Sequence, residues 1–227
     1  MPAGIAGASI LVDLLLQATA QAIFAAMGFL LLAQATGAEE VVKWGLAGLG
    51  GAAVALLGFF LVLRLGGVHF VESTIAKLLA RLALRSHVAE IIGVDSGLKA
   101  IWANPTNLVM GFCMHFIAWL AGVVEIWVAL TAMGHPAGLV PAAIIESLGQ
   151  ALRGAAFPVP GALGVQEGGF VLLCRLLGID PATAIALSLI KRVPDVALGL
   201  PGLLIWYGLE ARRGNNGQFF RSWGKSH

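Results

Sequence analysis

Residues 44–63 read WGLAGLGGAAVALLGFFLVL, a run of twenty apolar or small residues that contains no charge. A helix that crosses a bilayer needs about 20 mostly apolar residues, so this run predicts a transmembrane helix. Lys43 and Arg64 stand at its two ends. Its glycines, Gly45 and Gly48 among them, form a small-residue surface on which another helix could pack closely.

The composition of the whole chain points the same way. Of the 227 residues, 59% are hydrophobic and only 11% are charged, and the mean hydropathy is +0.89. A soluble fold of this size cannot bury so much apolar surface, so the surrounding solvent must be lipid. We therefore predict an all-α, polytopic integral membrane helical bundle. It would form one membrane domain over residues 1–210, followed by a basic cytoplasmic tail over residues 211–227.

Six apolar stretches are predicted to be membrane segments. Residues 1–12 carry no Lys or Arg, and the apolar run extends far beyond a short h-region, so we expect a transmembrane helix there rather than a signal peptide. Trp102 precedes the third stretch as an interfacial anchor. The predicted segments are residues 10–36, 43–64, 105–133, 138–157, 162–178 and 181–210.

Residues 70–92, between the second and third segments, are predicted to form an amphipathic helix. Apolar residues recur there at helical spacing, while Lys77, Arg81 and Arg85 recur every four residues on another face. Such a helix either lies flat on the membrane with its basic side toward anionic headgroups, or packs on the protein's own cytoplasmic face. Because basic residues concentrate in this loop and again after residue 210, the positive-inside rule places the loop and both termini in the cytoplasm.

The last third of the chain places charged residues inside apolar stretches. A charge at the bilayer centre costs at least about 2.5–3.5 kcal/mol, so several are tolerated only where they face one another or a wet cavity. Glu146 and Arg153 share one helix face, and Lys191 and Asp195 have the spacing of a direct pair. Two interpretations follow, a set of structural ion pairs that joins helices or a polar cavity. The charged residues are Glu146, Arg153, Glu167, Arg175, Asp180, Lys191, Arg192, Asp195 and Glu210.

Residues 157–164, FPVPGALG, cannot form a regular helix. Pro158 and Pro160 lack an N–H, and the residues before them avoid the α region. Gly161 and Gly164 permit tight turns. Irregular backbone at membrane depth survives only where protein or water satisfies it, so this break is either a cytoplasmic turn or the tip of a re-entrant hairpin.

In the hairpin alternative, the next helix points its positive N-terminal end into the protein. This end would form an anion site, with Gln166 and Glu167 in the first turn. In the last segment, Pro194 and Pro201 are predicted to kink the helix. The charges at 191–195 beside the first kink suggest a substrate contact or a moving joint.

Catalytic and metal-binding motifs such as HExxH, GxSxG and paired-cysteine spacings are absent from the sequence. Cys113 and Cys174 lie in apolar stretches and are interpreted as small packing residues. His115, in the third segment together with Glu125, is interpreted as a helix-packing group. We therefore expect no enzyme activity, no metal and no cofactor. With a net charge of only +2, we also expect no nucleic-acid partner.

Several stretches carry a resemblance to a known family. They are ESLGQ at 146–150, AFPVPGALGVQE at 156–167 and LSLIKR at 187–192, with ASILVD at 8–13 followed by Gln17. These stretches resemble the flippase-like membrane domain of lysylphosphatidylglycerol synthases, and most closely its hopanoid-biosynthesis-associated branch. The segment at 8–13 is similar to one from the middle of those proteins, so the resemblance implies further helices upstream. We therefore expect a chain that is truncated, wrongly started or dependent on a partner.

The resemblance implies the translocation of hopanoids or aminoacylated phospholipids in a bacterial inner membrane. We therefore predict a lipid flippase or transporter whose membrane partners are lipids. The alternative is a non-catalytic scaffold for lipid-synthesis enzymes, in which the charges pair internally and leave no cavity. An intramembrane enzyme is disfavoured because no nucleophile–base pair is visible. The predicted substrate path comprises Glu146, Arg153, Pro158, Pro160, Gly161, Gly164, Gln166, Glu167, Lys191, Arg192 and Asp195.

Overall fold

The fold of the chain is a bundle of helices. A computed structural model describes residues 3–81, 93–156 and 159–223, and within these ranges the regular elements are eight α-helices and one 3₁₀ turn. Three of the helices are long and apolar enough to cross a membrane. The predicted all-α membrane bundle is therefore confirmed. The elements are α1 (Ala3–Thr36), α2 (Glu39–Arg64), α3 (Gly67–Arg81), α4 (Val94–Trp102), α5 (Pro105–Ala132), α6 (Leu139–Ala155), the 3₁₀ turn (Pro160–Ala162), α7 (Val165–Leu176) and α8 (Pro181–Trp223).

The helix break predicted near 157–164 is present. Helix α6 ends at Ala155 and α7 begins at Val165, and the two pack against each other as a hairpin. Gly161 and Gly164 in the connection have φ of 64° and 81°, the left-handed region that glycine enters without strain. The 17 residues of α6 and the 12 of α7 are about 26 and 18 Å long, less than the ~30 Å hydrocarbon core. These lengths favour a re-entrant hairpin over two full crossings.

Contacts with α1 show how far this hairpin reaches. Gln21, near the middle of α1, donates from Nε2 to the carbonyl oxygen of Gln150 at 2.8 Å, and Gly154 lies directly against the same side chain. At the other end, His135 Nε2 lies 3.2 Å from Asp180 Oδ2, so the start and the end of the hairpin meet at one level. The hairpin therefore covers about half the length of α1.

Glycines set the closest helix contacts. A Cβ atom on Gly28 of α1 would collide with Ser147 of α6, and one on Gly122 of α5 would collide with the carboxylate of Glu146. In α2, Gly45 lies against the Phe29 ring of α1, whereas Gly48 faces open space. The predicted small-residue surface of α2 is therefore only partly used by the described residues.

A layer of short helices lies at the end of the bundle where α2 stops. Helix α4, which the sequence analysis missed, begins beside the buried Glu72 of α3. Glu72 Oε1 accepts the N–H groups of Gly93 and Val94 at 3.2 and 2.8 Å, which satisfies the exposed start of α4. Helix α3 covers 70–81 of the amphipathic helix predicted at 70–92. The side chains of Lys77 and Arg81, and all of Arg85, lie outside the described residues, so the predicted membrane-surface role is untested.

Helix α8 continues past the predicted end of the last segment at 210 and runs through both prolines predicted to kink it, Pro194 and Pro201. Its start is defined by Asp180, because Asp180 Oδ1 accepts the Thr183 N–H at 3.0 Å and Pro181 takes the first helical position.

Candidate functional site

Lys191 of α8 lies between two carboxylates at the centre of the bundle. Its Nζ donates to Glu125 Oε2 of α5 at 2.8 Å and to Glu146 Oε1 of α6 at 3.1 Å. The side chains of Lys191 and Glu146 are 9% and 2% exposed, while that of Glu125 is 37% exposed. Gln150 Nε2, one turn along α6, adds a hydrogen bond to Glu146 Oε1 at 3.0 Å. This triad of Glu125, Glu146 and Lys191 joins three helices and carries one more negative than positive charge.

A second network ties the hairpin tip to α8. Glu167 Oε1 accepts from Arg192 Nε at 2.9 Å, and Arg192 Nη1 donates to the carbonyl oxygen of Gly161 at 3.3 Å. The other oxygen of Glu167 accepts the Gly164 N–H at 2.7 Å. The positive N-terminal end of α7, predicted to be an anion site, therefore already holds the carboxylate of Glu167, and its neighbour Gln166 is buried beside Ser188.

The third ion pair corrects a prediction about spacing. Lys191 does not pair with Asp195. Instead, Asp195 Oδ2 accepts from Arg153 Nη2 of α6 at 2.6 Å. The four-residue spacing within α8 was a poor guide because each side chain turns toward a different charge on a neighbouring helix. Arg153, Lys191 and Arg192 thus each meet a carboxylate, as the structural ion-pair interpretation expected.

A cavity of about 400 Å³ nevertheless lies beside the triad, between α1, α5, α6 and α8. It is lined by Glu125, Glu146, Gln150 and Lys191, and on the α1–α5 side by Gln17, His115 and Trp119. His115 also joins α5 to α1, since its Nε2 lies 2.9 Å from Asp13 Oδ1. The charges therefore pair and still leave a polar space.

The structure brings together only part of the predicted path. Glu146 and Lys191 line the cavity, whereas the two pairs formed by Arg153, Glu167, Arg192 and Asp195 lie outside its lining. The loop residues Pro160, Gly161 and Gly164 are exposed, Gln166 is buried away from the cavity, and Pro158 falls outside the described residues.

Most of the polar and aromatic residues of the cavity were not predicted as part of the path, namely Gln17, His115, Trp119, Glu125 and Gln150. The presence of a charge within an otherwise apolar segment was the one signal that could have assigned Glu125. Trp119 and Gln150 have no comparable signal, because an aromatic or amide side chain is ordinary in a packed helix. Among the described residues, no group of three His, Cys, Asp or Glu side chains is arranged to hold a metal ion.

Comparison with known families gives a match that covers most of the chain. Residues 1–202 match the family described as the lysylphosphatidylglycerol synthase TM region. The chain belongs to the lysylphosphatidylglycerol synthase transmembrane-region family. No curated protein and no solved structure matches it. Family membership and the three apolar helices make it a multi-pass membrane protein of a lipid-related family.

Proposed function

We propose that this chain forms part of a path by which aminoacylated phospholipids cross a bacterial inner membrane. The observation that supports it is the polar cavity beside the triad. This cavity lies about halfway along α1, at the level that the hairpin reaches. A lipid headgroup needs polar partners at that depth, because unpaired charge in hydrocarbon is costly. Both termini would lie in the cytoplasm, and we assign the chain no chemical reaction.

The charge of the triad favours a cationic headgroup. Glu125 and Glu146 present two carboxylates to the single ammonium of Lys191. The other two ion pairs of the region are neutral as units. The ammonium of an aminoacyl headgroup would balance the surplus on the more exposed Glu125, with the Trp119 ring nearby as a further partner for a cation. A hopanoid with an uncharged headgroup would gain nothing from this surplus.

A scaffold for lipid-synthesis enzymes is the second candidate, and one observation favours it. Each of Arg153, Lys191 and Arg192 is paired within the bundle, as a purely structural role requires. A scaffold predicts that an enzyme co-purifies with the chain in fixed stoichiometry and that liposomes containing the chain move no lipid.

Reconstitution tests the proposed function. Liposomes would carry the chain and a fluorescent aminoacyl-phosphatidylglycerol, and a membrane-impermeant reductant would bleach the lipid that reaches the outer leaflet. We expect the chain to accelerate bleaching over empty liposomes, and Glu125→Gln to slow it by about tenfold, since one charged contact is lost. Glu39→Gln, an exposed carboxylate at the start of α2, is the matched control.

Two results would end the proposal. One is bleaching no faster with the chain than without it. The other is equal rates for the wild type, Glu125→Gln and Glu39→Gln. Repeating the assay with a fluorescent lipid whose headgroup is uncharged tests the preference for a cation, because the wild type should then move the lipid more slowly.

A further inference from the structure

A separate cavity lies at the end of the bundle where α2 stops. It measures about 480 Å³ and is lined by the end of α2, the start of α3 and one face of α4. Its polar lining consists of Arg64, His69, Asp95, Lys99 and Trp102. None of these residues touches the triad cavity, whose lining comes from α1, α5, α6 and α8.

Arg64 is held in this cavity without a counter-charge. Its guanidinium carbon lies 5.7 Å from the centre of the Trp102 ring. Phe60 holds that ring in turn by an edge contact at 5.6 Å. Among the described residues, Arg64 contacts no carboxylate, in contrast to the paired cations of the triad region. This cation–π contact holds the guanidinium near the ring and uses none of its N–H donors, which stay open to a ligand.

The remaining charges keep this cavity positive. Lys99 Nζ lies 2.6 Å from Asp95 Oδ2, and His69 Nδ1 lies 4.0 Å from the same oxygen. Arg64 and Lys99 bring two positive charges to this cavity and Asp95 brings one negative charge, which leaves a surplus of one positive charge even when His69 is neutral. A fork of donors with a nearby ammonium suits a phosphate group, which Arg can bind with two parallel hydrogen bonds.

The surroundings of the cavity indicate which kind of phosphate compound it binds. Arg64 is the last residue of a helix long enough to cross the bilayer, so the cavity lies at the membrane interface. Leu65 in its wall is 76% exposed, and Phe70 beside it is 72% exposed. These apolar side chains can contact acyl chains while the basic groups contact the headgroup. We infer that this cavity binds the phosphodiester of an anionic phospholipid, an interaction independent of lipid movement through the triad cavity.

Native mass spectrometry of the full chain in detergent tests this site. The probes would be phosphatidylglycerol, phosphatidylcholine and inorganic phosphate. We expect phosphatidylglycerol to be retained more tightly than phosphatidylcholine. Arg64→Gln should weaken that retention about tenfold, the effect of losing one charge-assisted contact. Lys43→Gln, which removes an exposed cation near the other end of α2, should leave it unchanged.

A second variant distinguishes the loss of a lipid contact from a local change of fold around Arg64. Lys99→Gln lies on α4 and should also weaken retention, since it removes the second cation of the cavity. Equal affinity for the two lipids, or unchanged retention in both Arg64→Gln and Lys99→Gln, would overturn the site. Displacement of phosphatidylglycerol by inorganic phosphate at equal concentration would overturn the lipid assignment in favour of free phosphate.

Discussion

Lys191 joins α8 to α5 and α6, because its ammonium pairs with one carboxylate from each of these helices. Burial of a charge is tolerated when a partner remains and becomes expensive when the partner is removed. The Glu146 side chain is 2% exposed, so its carboxylate is poorly solvated if Lys191 is removed. The triad is therefore the place where a single side chain should matter most for stability.

We expect Lys191→Met to lower the free energy of unfolding by about 3–5 kcal/mol, because it leaves a buried carboxylate unpaired. Thermal unfolding in detergent measures this. The double variant Lys191→Met with Glu146→Gln should recover part of the loss, since the stranded charge is then gone. Lys43→Met, at an exposed position near the start of α2, is the control, and a loss no larger than that of the control would contradict the account.

The charges in the apolar segments can be recognised from the sequence, but their partners cannot. Glu146, Lys191 and Asp195 stood out because charge is rare in apolar segments. Their pairing could not be read from spacing, since Lys191 meets Glu125, 66 residues away, and the four-residue partner Asp195 turns to Arg153. Only the arrangement of α5 and α6 around α8 decides these contacts.

Among the helices, the break within the hairpin could be predicted from the sequence, whereas the depth of the hairpin could not. The break follows from local chemistry, because Pro160 cannot donate a hydrogen bond and Gly161 and Gly164 adopt positive φ. The depth depends on how closely α6 approaches α1. That distance is set by Gly28 against Ser147, a contact between distant parts of the chain.

Gly28→Ala should therefore destabilise the bundle by about 1–3 kcal/mol, because the added methyl group must push α1 away from α6. Gly50→Ala is the matched control, since it adds the same methyl group in α2 where it meets open space. We expect that control to change stability by no more than about 1 kcal/mol. Thermal unfolding in detergent compares the two, and equal effects would show that the α1–α6 contact is not tight.

The start of α8 should make stability depend on pH. Hydrogen bonds from the Thr183 hydroxyl and N–H, together with the charge of His135, lower the pKa of Asp180 from its ordinary value. The ionised carboxylate thus stabilises the fold above the ordinary aspartate range, and this contribution is lost as pH falls through the lowered pKa. Asp180→Ala should melt below the wild type at neutral pH, and the difference should shrink in acid. A difference that stays constant with pH would contradict this role of the cap.

In the molecule as a whole, the bundle has two halves that contain different sites. One half contains the hairpin, the three ion pairs and the triad cavity, and the other contains the layer formed by α3 and α4 with the Arg64 cavity. Composition and span lengths predicted the membrane bundle itself, because lipid is the one solvent that suits so apolar a chain. The division into halves could not be predicted, since it depends on where the hairpin stops along α1.

Spin-label depth measurements test directly where the hairpin stops along α1. In a variant with Cys113→Ala and Cys174→Ala, single nitroxides would be attached through Leu163→Cys at the tip, Gly138→Cys at the base and Ser96→Cys on α4. Power saturation with oxygen and a water-soluble nickel complex reports the depth of each label in liposomes. We predict that the labels at 138 and 96 lie at opposite interfaces and that the label at 163 lies near the bilayer centre. A label at 163 as shallow as the one at 96 would mean two full crossings and would contradict the account.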